Sequence, residues 1–207
     1  IDTTAYERIE ILRGANGLMS GTGNPSATIN FVRKRPLDGF GGSVSATFGS
    51  WDRKRVDADV STPLGGGAVR ARVAAAYEDG DSYLDRYALE KSTAYGVVEA
   101  DLGERTRLAV GVSHQDNNVD RPLWGALPLF YTDGTQTDYD RSTSTAADWS
   151  FWDTRDTRAF AELAHDFGNG WNLTGTLTHN DKREDTEIFY VYGTPDRATG
   201  LGLFSYP

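Results

Sequence analysis

Cysteine is absent from this chain, and so is any long apolar run. Without thiols there is no disulfide frame, no thiolate metal site and no cysteine nucleophile. Three histidines (His114, His165 and His179) are too few for a histidine-rich metal centre. No apolar stretch approaches the roughly 18 residues of a membrane-spanning helix. Ile1 opens without the charged and apolar regions of a secretory signal. A cationic surplus is missing too: 21 Lys and Arg stand against 30 Asp and Glu, a net charge of −9. That balance argues against nucleic acid as the partner. The 207 residues suit one large domain or two small ones. The mean hydropathy is negative, but a transmembrane barrel escapes that measure, because only every second residue of its strands is apolar.

What the chain does have is alternation. From Gly41 onward the sequence reads as strands of period two. Val69, Ala71, Val73, Ala75 and Tyr77 share one face, with Arg70 and Arg72 on the other. Val56, Ala58 and Val60 alternate with Arg55, Asp57 and Asp59. Ala94, Gly96, Val98 and Ala100 alternate with Tyr95, Val97, Glu99 and Asp101. The patterns around Leu108–Val112 and Leu173–Leu177 continue the theme. The apolar face is rich in Ala, Gly and Val, too small to fill the space between two packed sheets. A membrane barrel wall asks only for a lipid-compatible outside and a polar inside. Phe48, Tyr77, Phe167 and Trp171 fall near strand ends, where an interfacial aromatic girdle belongs. An ordinary antiparallel sheet protein is the alternative reading of the same pattern.

The connections fall into two sets. Tight turns are expected at 63–67, 102–104 and 167–170; longer ones at 49–52, around 80–91 and from about 117 to 156. Short turns on one side and long loops on the other are the outer-membrane arrangement. About seven strands fit, at roughly 9–11 residues per crossing.

The opening segment differs. Ile9, Ile11 and Leu12 predict a short strand, Gly14 to Gly23 a glycine-rich turn, and Thr28–Val32 a second strand. Arg33–Arg35 reads as a polar strand end beside a hinge at 36–42. The glycines do not make a phosphate loop. Asn24-Pro25-Ser26 follows them, where an anion site needs a Lys-Ser/Thr or a helix N-terminus. Carboxylate pairs at Asp57/Asp59 and Glu99/Asp101 each share a strand face, but they read as a hydrated wall facing arginines rather than as acid–base machinery. His114-Gln115-Asp116 falls short of a metal ligand set. No serine–histidine–acid set can be assembled, and the sequon at Asn172 lies inside a predicted strand. An enzyme is not expected.

The stretch from Arg121 to Trp152 carries Trp124, Phe130, Tyr131, Tyr139, Trp149, Phe151 and Trp152 among Arg121, Asp133, Asp140, Arg141 and Asp148. Loops of this length in a compact fold are usually functional or disordered, and the aromatic content argues against disorder. Aromatics with a few charges suit a large, polar, partly planar ligand.

With these residues in view, the chain resembles the TonB-dependent outer-membrane receptors. Tyr6–Gly14, Gly17-Leu18-Met19, Gly23-Asn24-Pro25, Thr28-Ile29-Asn30 and Lys34-Arg35-Pro36 are similar to the closing half of the receptor plug. Trp124–Pro128, Thr132-Asp133-Gly134, Tyr139–Arg141 and Ala147–Trp149 are similar to the first large loop of the ferric siderophore branch, the coprogen- and pyoverdine-type receptors. Such receptors thread an N-terminal plug into a barrel of about 22 strands. The resemblance therefore implies an all-β fragment of a membrane barrel. Residues 1–38 would be the C-terminal part of the plug. Residues 39–207 would begin the barrel with about seven antiparallel strands, and its long extracellular loop would lie at about 117–156.

The same resemblance implies uptake of a ferric siderophore at the cell outer membrane of a Gram-negative bacterium, with TonB–ExbB–ExbD and outer-membrane lipid as partners. Iron would travel as a chelate, and no cofactor is expected. Ligand contacts are expected from Trp124, Tyr131, Trp149 and Trp152, with Arg121 and Arg141 beside them, and Arg13 aligns with a plug arginine that locks onto the barrel wall. The TonB box, the first half of the plug and some fifteen further strands would lie outside this sequence. A secreted glycan-binding protein or glycosidase, stacking sugars on the aromatic loop, is the rival reading; a passive porin is the third.

Overall fold

The computed structural model describes residues 2–14 and 27–206, and nearly all of its regular structure is strand. Two strands, β1 (Tyr6–Arg13) and β2 (Ala27–Arg33), form an antiparallel pair of their own. Seven more follow: β3 (Gly41–Phe48), β4 (Lys54–Leu64), β5 (Val69–Asp81), β6 (Ala88–Asp101), β7 (Thr106–Asp120), β8 (Phe151–Asp166) and β9 (Asn172–Glu187). They form one sheet in strict chain order, every neighbour antiparallel. A small hairpin, β10 (Tyr190–Gly193) with β11 (Leu203–Tyr206), closes the described chain. The glycine-rich turn expected at Gly17, Gly21 and Gly23 lies outside the described residues.

Turns at 65–68, 102–105 and 167–171 join strands at one end of the sheet; connections at 49–53, 82–87 and 121–150 lie at the other. The strands overrun their expected limits. Lys91, Glu90, Asn117 and Asn118 stand in register between β6 and β7; 151–156, expected within the loop, begin β8. Above a lipid band both faces of a strand are polar. The period-two signal then fades while backbone hydrogen bonding continues.

Exposure on this sheet runs opposite to that of a water-soluble protein. In β5, Arg70, Ala74, Ala76 and Glu78 are buried, while Val73 is 59% and Tyr77 47% exposed. In β6, Tyr95, Val97 and Glu99 are buried and Val98 is exposed. The register aligns the outward apolar residues into rows across strands: Val60, Val73, Gly96, Val112 and Ala159 form one. The next row begins with Val44, Ala58, Ala75 and Ala94 and ends in His114, Thr157 and Asp181. An apolar band that turns charged along a single row is what strand tilt produces, since hydrogen-bonded rows then run oblique to the membrane plane. Phe48, Phe167 and Trp171 are exposed at the strand ends.

On the central strands the polar face is buried because the N-terminal piece lies against it, whereas β3 and β9 are exposed on both faces. Ala5 packs with Ala74, Tyr95, Val97 and Phe160, and Tyr6 joins them. Phe160 fits where β7 has no side chain: a Cβ on Gly111 would stand 2.5 Å from the ring. Tyr95 donates its hydroxyl proton to the Lys34 carbonyl oxygen at 2.7 Å, and the Leu37 N–H donates to Ser61 Oγ at 2.8 Å.

Candidate ligand-binding mouth and charged inner wall

The charges of the inner wall pair across the two pieces. Arg55 on β4 reaches Asp2 (2.7 Å), Asp57 (2.6 Å) and Glu78 (2.9 Å), and Lys91 stands 3.4 Å from Asp2. Burial pushes the Asp2 carboxyl up; hydrogen bonds from Arg55 and Thr4 outweigh it and hold the group well below the usual carboxylate range. The basic run, expected as a polar strand end, stands at the end of β2 as expected and also makes a three-point attachment. Arg33 and Arg35 both bind Glu162 on β8, Lys34 binds Asp59 at 2.7 Å, and Arg35 also reaches Glu99 at 3.4 Å. The Arg33 guanidinium lies over the Phe160 ring, 4.2 Å from its centre. The acids answering this run lie 25 to 129 residues away in sequence. Arg13 ends β1, exposed, in register with Ala27, and makes no ion pair among the described residues.

At the long-loop end the aromatic residues separate into groups. Trp124 and Trp152 meet edge to face, ring centres 5.2 Å apart. Trp152 lies on the same face of β8 as the inward Phe160 and Glu162, by the period-two count. Trp149 pairs instead with Phe189, at 5.9 Å. Tyr131 lies under the Arg197 guanidinium at 6.0 Å, and Arg141 lies over Tyr83 at 5.3 Å, which in turn meets Trp51. Arg121 roots the loop with φ 51°; its N–H donates to the Ser150 carbonyl at 2.8 Å, while its buried Nε has no protein partner. Of the six residues expected to touch ligand, the structure joins only Trp124 and Trp152 directly.

The loop is internally ordered. Tyr131, Gly134 (φ +81°) and Thr135 form a tight turn in which Asp133 accepts from the Thr135 N–H at 2.8 Å and its hydroxyl at 2.6 Å. Those bonds hold the Asp133 carboxyl below its ordinary range. Segment 82–87 grips the far half of the loop: the Asp85 N–H donates to Ser142, and Arg86 pairs with Asp148 at 3.2 Å. Tyr83, Phe189 and Arg197, which these contacts bring in, and Tyr190 and Asp196, which meet Trp124 and Thr132, are not among the expected site residues. The alternation Tyr190-Val191-Tyr192 was the one local signal for any of them.

No family model matches the chain. Among curated proteins it is 44% identical over 180 residues to the ferripyoverdine receptor of Pseudomonas aeruginosa, covering 86% of this chain and 22% of the receptor. It is 40% identical over 205 residues to the ferric-pyoverdine BN7/BN8 receptor of Pseudomonas putida, covering 98% of this chain and 25% of that protein. Among solved structures, the outer-membrane ferripyoverdine receptor of Pseudomonas aeruginosa bound to ferripyoverdine superposes with a TM-score of 0.92 at 38% identity. That match covers 99% of this chain and 28% of the receptor. The chain thus spans about a quarter of the length of the relatives it matches.

Proposed function

The chain belongs to the TonB-dependent siderophore receptors, of which it matches one segment, and on that premise we propose that it serves uptake of a ferric siderophore across the outer membrane. Residues 1–38 act as the end of the plug and 39–207 as the opening strands of a barrel of about 22. The observation that carries this reading is the seating of a small two-stranded piece on the charged face of a sheet whose apolar face is exposed. A porin has no plug to seat, and a secreted glycosidase has no use for an apolar outside. Neither reading finds support among the relatives, which are receptors.

In the proposed cycle the chelate binds at the long-loop mouth, against Trp124 and Trp152, with Tyr131, Trp149, Arg121 and Arg141 around them. Iron is cargo inside the chelate and touches no protein ligand directly, so the protein performs no chemistry on it. The TonB–ExbB–ExbD complex then pulls on the plug and opens a path along the charged inner wall. Ferripyoverdine-type chelates are the first ligands to try.

The test uses a full-length receptor carrying this segment. Trp124→Ala and Trp149→Ala are made singly, and binding of a panel of ferric siderophores, ferripyoverdine included, is titrated by fluorescence. Loss of a truncated aromatic anchor weakens binding by about ten- to a hundredfold. Affinity unchanged for every chelate would remove both residues from the site.

A further inference from the structure

The geometry points to Tyr190 and Gly125 as positioning residues: the β10–β11 hairpin is a strut that fixes the Trp124 indole against Trp152. Gly125 follows Trp124 and holds φ +91°, a left-handed conformation that side-chain-bearing residues rarely adopt. A Cβ at Gly125 would fall 2.4 Å from the Tyr190 ring, so that ring fills the space the glycine leaves. Backbone bridging between Trp124 and Tyr190 ties the same two segments. Tyr190 in turn stacks on Tyr192, and Tyr192 on Phe204, with ring centres 6.3 and 5.7 Å apart. The rack thus spans both strands of the hairpin.

The far end of the hairpin is fastened to the same loop. The Thr132 N–H donates to the Pro195 carbonyl at 3.0 Å, the Thr132 hydroxyl approaches Asp196 at 3.4 Å, and Arg197 caps Tyr131. Asp196 itself is tied by the Thr199 hydroxyl and N–H, so the fastening is rigid at its source. Two attachments on one side of a loop set both its height and its rotation. An indole on a loop held at one point would swing; held at two, it keeps its edge-to-face approach to Trp152.

As a statement about ligand binding this inference rests on the proposed siderophore site, but its geometric part stands apart. In the full-length receptor, the circular-dichroism signal of the coupled Trp124–Trp152 pair is defined as the difference abolished by Trp152→Phe. Gly125→Ala and Tyr190→Ala are expected to remove most of that signal while leaving the remaining strand spectrum intact. They are also expected to weaken ferric siderophore binding by about ten- to a hundredfold. Tyr190→Phe, which keeps the ring, is expected to retain both. If Trp124→Ala leaves binding unchanged, the ligand site is wrong while the coupled signal still tests the strut. A coupled signal that survives both Gly125→Ala and Tyr190→Ala overturns it.

Discussion

Replacing Arg55 with methionine keeps much of the side chain's apolar stem and removes its charge. Arg55 is 15% exposed; the acids it joins, Asp2 on the N-terminal piece and Glu78 on the neighbouring strand β5, are 2% and 7% exposed. An exposed ion pair contributes about 0–1 kcal/mol, whereas removing one partner of a buried set costs about 3–5 kcal/mol, because the remaining charge is stranded. Lys91 stays 3.4 Å from Asp2 and 3.5 Å from Glu78, so we expect the low end, about 3 kcal/mol. That corresponds to about 150-fold easier detachment of the N-terminal piece.

The reporter is Ala5→Cys, which lies 5% exposed against Tyr95, Val97 and Phe160 in a segment with no cysteine of its own. Its thiol-labelling rate in the full-length receptor is measured with and without Arg55→Met. The effect is pH-dependent. Asp2 has its carboxyl depressed in the folded protein, so its contribution is complete above about pH 4 and is lost as the pH falls further, through the folded value. The Arg55→Met difference should therefore shrink in strong acid. A change in labelling below about threefold at neutral pH, where roughly 150-fold is expected, would refute the reasoning. It would mean that water, not the neighbouring charge, satisfies Asp2 and Glu78.

Glu162→Gln removes the carboxylate shared by Arg33 and Arg35. Its partners are 24% and 47% exposed, so a smaller cost of about 1–2 kcal/mol is expected. The same reporter should read this as about 5- to 30-fold faster labelling, and 1 M salt should narrow the difference. Val73→Arg tests the outward face. In water such a change at an exposed site falls within about 0.5 kcal/mol, but at the lipid midplane it costs about 2–4 kcal/mol. Less heat-modifiable receptor in the outer membrane is the expected reading, and undiminished assembly would deny that Val73 meets lipid. Gly111→Val drives a side chain into the Phe160 ring and the Gly96 carbonyl, 2.5 and 2.8 Å from the added Cβ. About 1–3 kcal/mol of destabilisation is expected, visible as a lowered melting temperature and partly relieved by Phe160→Ala.

The sheet was legible because a membrane wall writes itself in period two. Val69–Tyr77 and Ala94–Ala100 name their faces without help from any distant residue. Strand ends were not legible, since beyond the lipid band Glu90 and Asn118 stay paired while alternation means nothing there. The Arg33–Arg35 run is legible as a polar strand end, and β2 does end at Arg33, but its ion partners are not, because Asp59, Glu99 and Glu162 lie on three other strands. At the mouth, composition marked Trp124 and Trp152 as candidates. Their mutual contact depends on Tyr190, some 65 residues past Gly125, and on a glycine whose left-handed φ leaves no trace in composition.

The strict chain order of β3 to β9 has a kinetic consequence. Every pairing in that sheet joins sequence neighbours, so every hairpin but the one across the long 121–150 loop closes a short loop and pays little entropy to do so. The N-terminal piece is different: Asp2 must find Gln115, and Arg33 must find Glu162, across 113 and 129 residues. Those contacts wait for β7 and β8, which come well after the N-terminal piece in the chain. The N-terminal piece can reach β4 early, through Asp2–Arg55 and Lys34–Asp59, but it cannot complete its docking before β8 is in place. Until then the remaining acids and arginines of the wall have only water and one another, which a polar lumen tolerates and an apolar core would not.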